Sequence, residues 1–213
     1  MSLWAIIPVK PLRRGKSRLA GVLTEEERTF LNYTMLANTL KALTAVKEID
    51  KILVISRDSG ALAMARDFGA KTVQENGKSD DLNAALTRAT IVAQLSGAQS
   101  VLILPDDLPR IDAESIRAMI QMGKKTPYVV IAPDRHREGT NGLLICPAGL
   151  IDYQFGPGSF SRHLQQAKRY NINVEIFDNP ALALDLDMPE DLELLRRMEM
   201  VQFNAQDVWK PLA

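Results

Sequence analysis

Short apolar runs alternate with longer amphipathic segments along this chain, and no other feature of the sequence restricts its fold as strongly. Five runs carry no charge, as strands buried on both faces of a sheet do, and they lie at residues 4–9, 52–56, 101–104, 128–132 and 142–146. Two more polar strands are predicted at residues 71–73 and 174–177. The remaining segments are predicted as helices, at residues 24–43, 59–68, 80–95, 111–122, 159–170 and 189–200. This order predicts an α/β fold, with a mostly parallel sheet and helices on both faces.

Length and composition indicate one domain, spanning residues 1–213, because 46% hydrophobic content suffices for a single buried core. The 26 basic and 26 acidic side chains balance, so no overall field attracts nucleic acid or an anionic membrane. The single cysteine, Cys146, excludes an internal disulfide. No apolar run approaches the ~20 residues that span a bilayer. We therefore expect a cytoplasmic protein without nucleic-acid or membrane partners, and we leave a homodimer open.

Charged residues follow three of the predicted strands, at the points where those strands end. A basic segment at residues 10–18 follows the first strand, Asp106 and Asp107 follow the fourth, and Asp185 and Asp187 follow the last. Ligands in open parallel sheets bind beyond the carboxyl ends of the strands. The sequence therefore predicts that the three groups share one ligand-binding edge.

The basic segment carries five cations in nine residues and is predicted to surround the phosphates of a nucleotide triphosphate. Gly15, Lys16 and Ser17 match the last three residues of a Walker A loop, but that motif requires a glycine where this chain has Lys10. We therefore reject a kinase-type loop. The plain alternative is a solvated basic turn, which the carboxylates expected opposite make less favourable.

The aspartates are candidates for a magnesium site, because Mg²⁺ binds oxygen ligands and needs only one or two carboxylates besides substrate phosphates. Asp185 and Asp187 alternate along an extended segment, so their side chains point the same way. Asp187 is also suited to cap the following helix, and both roles can hold. Asp106 and Asp107 have the alternative role of forming a turn.

Six short motifs, in their order and spacing over residues 3–198, resemble one family: the guanylyltransferases that make the phosphodiester-linked precursor of the deazaflavin coenzyme F-420. They are related to molybdenum-cofactor and sugar-phosphate nucleotidyltransferases. The motifs are Ile7-Pro8-Val9-Lys10 with Gly15-Lys16-Ser17-Arg18-Leu19, Leu82-Asn83-Ala84-Ala85-Leu86, Asp107-Leu108-Pro109, Gly139-Thr140-Asn141, Phe155-Gly156-Pro157-Gly158-Ser159-Phe160, and Asp185-Leu186-Asp187-Met188-Pro189-Glu190-Asp191-Leu192. The resemblance implies a nucleotidyltransferase fold, which is glycosyltransferase-A-like and Rossmann-like.

The resemblance also implies an activity: GMP from GTP is joined to 2-phospho-L-lactate or phosphoenolpyruvate, with release of pyrophosphate and with Mg²⁺ as cofactor. It places the metal ligands at Asp107, Asp185 and Asp187, and the acceptor-phosphate contacts at Thr140, Gly156 and Ser159. Nucleotide contacts fall on Pro8, Lys10, Lys16, Arg18, Leu82 and Asn83, and the residues assigned to catalysis are Lys16, Arg18 and Asp107. Preference for guanine rests on this resemblance alone.

Such a reaction needs no general base, since a phosphate monoester has its second pKa near ~6 and is already a dianionic nucleophile at neutral pH. Neither His136 nor His163 is therefore assigned a catalytic role. Lys16 and Arg18, with Lys10, are expected to neutralise the β- and γ-phosphates. The metal would bridge the acceptor phosphate and the α-phosphate.

The glycine-rich segment at residues 156–159 opens a predicted helix, whose free amides are suited to hold the acceptor's phosphate or carboxylate. The alternative is a turn followed by Ser159 as the helix N-cap. Arg162 and His163 are further candidates to reach the acceptor carboxylate. The tail at residues 202–213 lies outside the resemblance, and Trp209 is expected to pack on the domain.

Two other functions stay open. A sugar-phosphate or molybdenum-cofactor nucleotidyltransferase would share the fold and the metal chemistry but use another acceptor. A non-catalytic nucleotide-binding module would bind GTP without releasing pyrophosphate. The complete set of aspartates argues against the second.

Overall fold

The computed structural model describes residues 2–13, 15–75 and 81–197. Its strands are β1 (Leu3–Val9), β2 (Lys51–Ser56), β3 (Lys71–Gln74), β4 (Ser100–Ile103), β5 (Tyr128–Pro133), β6 (Thr140–Cys146) and β7 (Asn173–Ile176). Its α-helices are α1 (Glu25–Thr44), α2 (Ser59–Asp67), α3 (Leu82–Leu95), α4 (Ala113–Met122), α5 (Ser159–Arg169), α6 (Pro180–Ala183) and α7 (Pro189–Arg197). One 3-10 turn, Ser17–Leu19, follows β1. The prediction for Trp209 lies outside the described residues.

All seven strands form one mixed sheet, in the order β3-β2-β1-β4-β6-β5-β7. Strands β1, β2, β3 and β4 are parallel, whereas β6 runs antiparallel to both of its neighbours, β4 and β5. The predicted mostly parallel sheet is confirmed. Because Thr140 begins an antiparallel strand, it lies at the edge where the parallel strands end.

Alternate residues of β1 enter two separate apolar clusters, one on each face of the sheet. Ile7 belongs to the cluster that contains Leu40 of α1, and Ile6 to the cluster that contains Leu86 of α3. Each of these side chains is fully buried, and burying one such side chain contributes about 1.5–3 kcal/mol. The predicted covering of both faces by helices is confirmed.

Local hydrogen bonds decide where the helices begin. Thr24 caps α1, since its hydroxyl accepts from the Glu27 amide at 3.2 Å and Glu27 Oε2 accepts from the Thr24 amide at 2.7 Å. Helix α3 begins at Leu82, later than predicted. Its N-cap is Asp81, whose carboxylate accepts from the amides of Asn83 and Ala84 at 3.0 and 3.1 Å.

Two further differences from the predicted elements bear on the ligand edge. Strand β6 begins at Thr140, two residues earlier than predicted, so Thr140 and Asn141 are strand residues. The short helix α6 was not predicted, and it separates Asp185 and Asp187 from the last strand. Within the described part of the chain, no helix is both long and apolar enough to cross a membrane.

Candidate active site

The three charged groups that follow the strands meet at one edge of the sheet. Lys16 Nζ lies 3.1 Å from Asp107 Oδ2 and 3.0 Å from Asp187 Oδ1. Arg18 Nη1 lies 3.5 Å from Asp187 Oδ2. The Lys16 side chain is only 8% exposed, whereas that of Arg18 is 67% exposed. Lys16 therefore stands inside the cluster of charges, and Arg18 stands at its rim.

The segment that carries Lys16 is held in place by hydrogen bonds to two neighbouring helices. The Leu12 amide donates to Asp58 Oδ2 at 2.8 Å, and Asn32 Nδ2 donates to the Leu12 carbonyl at 2.6 Å. A Cβ at Gly15 would lie 2.6 Å from Asn32 Nδ2, so any larger residue here would require Asn32 or the segment to shift. The backbone of Lys16 lies in the left-handed helical region, with φ 54° and ψ 37°. The backbone therefore directs Lys16 toward the aspartates.

The second acidic segment is joined to the first through the backbone. The Leu186 amide donates to the Asp107 carbonyl at 3.0 Å, and the Leu186 side chain is fully buried. Successive side chains of an extended segment point to opposite sides. Asp185 and Asp187 therefore both face away from the core, on the side of Asp107 and Lys16.

Burial and neighbouring charges set the protonation of these groups. Burial lowers the pKa of Lys16, but the charges of Asp107 and Asp187 outweigh it, so that pKa is above its usual range. Burial acts to raise the pKa of Asp187, but the Lys16 ammonium holds that pKa below its usual value. Burial and the charge of Asp107 raise the pKa of Asp185. Burial and Asp107 likewise raise the pKa of Asp106 to about 7. The edge therefore holds a protonated lysine among crowded carboxylates.

The three predicted metal ligands are near one another, but Lys16 Nζ lies between two of them. Asp185 Oδ1 is 3.3 Å from Asn141 Nδ2, an amide that also donates to the Leu182 carbonyl at 2.8 Å. Within residues 2–13, 15–75 and 81–197, no group of three or more histidine, cysteine, aspartate or glutamate side chains is arranged to hold a metal ion. In this structure, the ammonium occupies the position of a cation between Asp107 and Asp187.

Asp187 does not act as the cap of α7, which was the alternative considered for it. Asp191 Oδ2 accepts from the amides of Asp187 and Met188, at 3.0 and 2.7 Å. The other oxygen of Asp191 pairs with Arg135 Nη2 at 2.5 Å. Asp191 therefore fixes the backbone of Asp187 and leaves its carboxylate to face Lys16 and Arg18.

The predicted acceptor contacts Thr140 and Ser159 form a buried pair, with the Ser159 hydroxyl donating to Thr140 Oγ1 at 3.2 Å. The cap of α5 is Gly158, with φ 73, so the alternative of Ser159 as N-cap is wrong. Gly156 has φ 116, a conformation that favours glycine. His163 Nδ1 lies 3.1 Å from Thr140 Oγ1. The structure thus brings these residues together at the start of β6 and of α5.

Arg162 and His163 both form hydrogen bonds to the backbone of the segment before α5. Arg162 Nη2 donates to the Gln154 carbonyl at 2.7 Å, and this contact helps to hold the glycine-rich segment. His163 Nε2 accepts from the Gln154 amide at 3.0 Å, while Nδ1 faces Thr140. Burial, together with the Arg162 charge, lowers the pKa of His163 to about 4. Both side chains therefore support the loop. Both ring nitrogens of His163 have protein partners, whereas contact of the exposed Arg162 with the acceptor stays a prediction.

Among the predicted nucleotide contacts, Pro8 is partly exposed near the end of β1, and Lys10 is exposed just beyond it. Leu82 packs against the apolar cluster under α3. Asn83 pairs with the backbone of Phe155, the residue before the glycine-rich segment: its Oδ1 accepts from the Phe155 amide at 2.7 Å, and its Nδ2 lies 3.3 Å from the Phe155 carbonyl. The first turn of α3 is thereby tied to the acceptor segment.

Sequence reasoning missed several supporting residues of this site. Asn141 and Asp191 both lie within motifs of the resemblance, but the resemblance assigned no role to them. Arg135 lies outside the motifs, yet it pairs with Asp191. Only the spacing of Asp191 within the first turn of α7 could have indicated a capping role.

Comparisons with known proteins show the family and the fold of this chain. A family model described as "Guanylyl transferase CofC like" matches residues 3–199. A phosphoenolpyruvate guanylyltransferase of Rubrobacter xylanophilus is 41% identical over 97% of this chain and 99% of its own length. A 2-phospho-L-lactate guanylyltransferase of Methanocaldococcus infernus is 37% identical over 88% of this chain and 81% of its own. A nucleotidyl transferase structure from Methanothermobacter thermautotroptrophicus, at 16% identity and TM-score 0.68, covers 95% of this chain and 99% of its own, and it confirms the nucleotidyltransferase fold. This chain therefore belongs to the family of CofC-like guanylyl transferases.

Proposed function

We propose that this protein transfers GMP from GTP to the phosphate of a three-carbon acid, phosphoenolpyruvate or 2-phospho-L-lactate, in the biosynthesis of coenzyme F-420. The observation that carries the proposal is the contact of Lys16 Nζ with both Asp107 and Asp187. This contact places a cation that is suited to bind phosphate beside carboxylates that are suited to bind a metal ion, at the ligand edge of the sheet. The two acceptors are those named for relatives at 41% and 37% identity.

The reaction exchanges one phosphoanhydride bond for another. An oxygen of the acceptor phosphate attacks the α-phosphorus of GTP, and the bond between the α-phosphorus and the bridging oxygen breaks. Pyrophosphate leaves with that electron pair. No proton has to move in this step, because the acceptor phosphate is largely dianionic at neutral pH. The protein's task is therefore to position two anions and to stabilise the charge of the leaving group.

Lys16 and Arg18 are proposed to bind the β- and γ-phosphates, with Lys10 nearby. The raised pKa of Lys16 keeps its ammonium charged at neutral pH. Phosphate oxygens are alternative partners for an ammonium that pairs with Asp107 and Asp187 here. Exchange of Lys16 onto the triphosphate would leave those two carboxylates available. Arg18, at 67% exposure, is free to turn toward a ligand from the rim.

Asp107, Asp185 and Asp187 are proposed to hold Mg²⁺. Their donor set suits this ion, since it consists only of carboxylate oxygens, and the side chains of Asp107 and Asp187 are 24% and 41% exposed. Burial, together with the charge of Asp107, raises the pKa of Asp185, and a bound cation would offset both effects. The ion, when bound, would neutralise charge between the acceptor phosphate and the α-phosphate.

Thr140, Gly156 and Ser159 are proposed to bind the acceptor. Thr140 and Ser159 provide hydroxyl groups at the start of β6 and of α5. The positive φ of Gly156 shapes the glycine-rich segment that leads into α5. Pairing of Asn83 with Phe155 joins this segment to the predicted nucleotide contacts. The acceptor phosphate would therefore be presented from one side of the bound triphosphate.

A product assay tests the proposal directly. The protein is incubated with GTP, Mg²⁺ and each of several acids, including phosphoenolpyruvate, 2-phospho-L-lactate and 3-phosphoglycerate, and both pyrophosphate and the joined product are measured. CTP and ATP replace GTP in parallel reactions. We expect product with GTP and one of the first two acids. Binding of GTP without pyrophosphate from any acid would refute the proposal in favour of a non-catalytic module.

The cytoplasmic location and a homodimer remain predictions. Size-exclusion chromatography with light scattering, at several protein concentrations, tests the homodimer.

A further inference from the structure

A buried polar network lies directly beneath the proposed acceptor contacts. Thr140, Ser159 and His163 are 6%, 1% and 0% exposed, respectively. Buried polar groups are costly unless each finds a hydrogen-bond partner, so the direction of every bond in such a network is restricted. The directions can be assigned one by one from the backbone outward.

The backbone fixes the tautomer of His163. The Gln154 amide donates to His163 Nε2 at 3.0 Å, so Nε2 carries a lone pair and no hydrogen. In a neutral imidazole the hydrogen then resides on Nδ1. The edge of this ring also packs against Phe155, with ring centroids 5.0 Å apart, which holds its orientation. The lowered pKa of His163, about 4, agrees with a neutral ring at neutral pH.

The tautomer in turn sets the direction of the Thr140 hydroxyl. Thr140 Oγ1 accepts from Ser159 Oγ at 3.2 Å and from His163 Nδ1 at 3.1 Å. A hydroxyl oxygen has two lone pairs, so both are now used. Its own hydrogen cannot be donated to either of these two donors, so it is directed away from both of them.

We propose that His163 is a positioning residue that, through its Nδ1 hydrogen, turns the Thr140 hydroxyl outward as a donor to an anionic oxygen of the acceptor acid. The assignment rests on the proposed function in one respect, the identity of that anion. His163 acts only through Thr140 and does not touch substrate. The ring holds a proton in place and transfers none.

The tautomer is measurable without any activity. The chain has two histidines, so long-range proton–nitrogen NMR spectra of protein labelled with nitrogen-15 histidine contain two ring systems, and a His136→Gln variant assigns them. At pH 7 we expect His163 to carry its hydrogen on Nδ1. A hydrogen on Nε2, or a doubly protonated ring, would overturn the inference.

Two substitutions separate positioning from packing. His163→Asn keeps an N–H group near the position of Nδ1, whereas His163→Gln keeps an acceptor near the position of Nε2. We expect the Asn variant to retain the acceptor KM within about 3-fold. The Gln variant should raise it about 10-fold, which is the loss of one hydrogen bond of about 1.4 kcal/mol. The KM for GTP should be unchanged in both. Equal rises of the acceptor KM in the two variants would contradict the role.

A double substitution tests whether the effect passes through Thr140. In a Thr140→Val background, the donated hydrogen is already absent, so adding His163→Gln should raise the acceptor KM no further. Multiplied losses would show that His163 acts by another route. If the wild-type protein joins GMP to no acid, the proposed function fails, whereas the NMR measurement still decides the tautomer.

Discussion

Replacing Asp191 by asparagine should weaken both the fold and the activity, although Asp191 is not a proposed ligand of metal or substrate. Asp191 is 4% exposed. One of its oxygens accepts from the amides of Asp187 and Met188, and the other pairs with Arg135 at 2.5 Å. An asparagine has one oxygen, so its amino group must face either the two backbone amides or Arg135. Either orientation places donors against donors.

The size of the effect follows from these contacts. Hydrogen bonds to a charged group contribute about 1.5–3 kcal/mol, and loss of one partner of a buried ion pair costs about 3–5 kcal/mol. Arg135 is 31% exposed, so water compensates part of its loss. We expect a destabilisation of about 2–4 kcal/mol, which is below the total stability of most domains. For a protein of this length, that is a fall in Tm of roughly 5–15 °C.

Activity should fall as well, because Asp191 fixes the backbone of Asp187. A displacement of a positioned group by about 1 Å can cost about 100-fold in rate, so we expect kcat to fall about 10- to 100-fold at a temperature where the variant is folded. Differential scanning calorimetry and a pyrophosphate-release assay measure the two effects. Glu190→Gln is the matched control, since Glu190 lies beside Asp191 in α7 but is exposed. A Tm and a kcat for Asp191→Asn no different from those of the control would refute the reasoning.

Three further predictions concern other parts of the site. Asp185→Asn should abolish turnover, while its circular dichroism spectrum and Tm stay close to those of the wild type. Asp67→Asn, an exposed control on α2, should retain activity. Turnover by the Asp185→Asn variant would remove Asp185 from the metal site. Because the pKa of His163 falls from 6.5 to about 4 on folding, its stabilising contribution is complete above pH 6.5 and is lost as the pH falls toward 4. Wild-type stability should therefore fall by up to about 1.4 kcal/mol per pH unit more than that of His163→Asn over this range, and parallel Tm profiles would contradict this. Gly15→Ala should raise the KM for GTP, because the new Cβ would lie 2.6 Å from Asn32 Nδ2 and would disturb the hydrogen bond from that atom to the Leu12 carbonyl, which holds the basic segment. An unchanged KM measured by initial rates would count against that route.

Features that depend on neighbouring residues were predictable from the sequence. The capping box at Thr24 involves a partner three residues away, and the alternation around Leu186 places Asp185 and Asp187 on one side of an extended segment. The approach of the basic segment to Asp107 also followed, because parallel strands end at the same edge of a sheet. The first two features need only partners a few residues away, and the third needs only the common direction of parallel strands.

Features that depend on pairing between distant segments came only from the tertiary structure. Nothing in the apolar run at residues 142–146 indicates that β6 runs antiparallel between β4 and β5, yet this direction brings Thr140 to the ligand edge. The contact of Lys16 with Asp187 joins residues 171 positions apart. Periodicity predicts which face a side chain occupies, but it does not predict which atom lies 3 Å from it. That requires the whole packed domain, because partners for buried polar groups come from whichever segments the sheet order brings together.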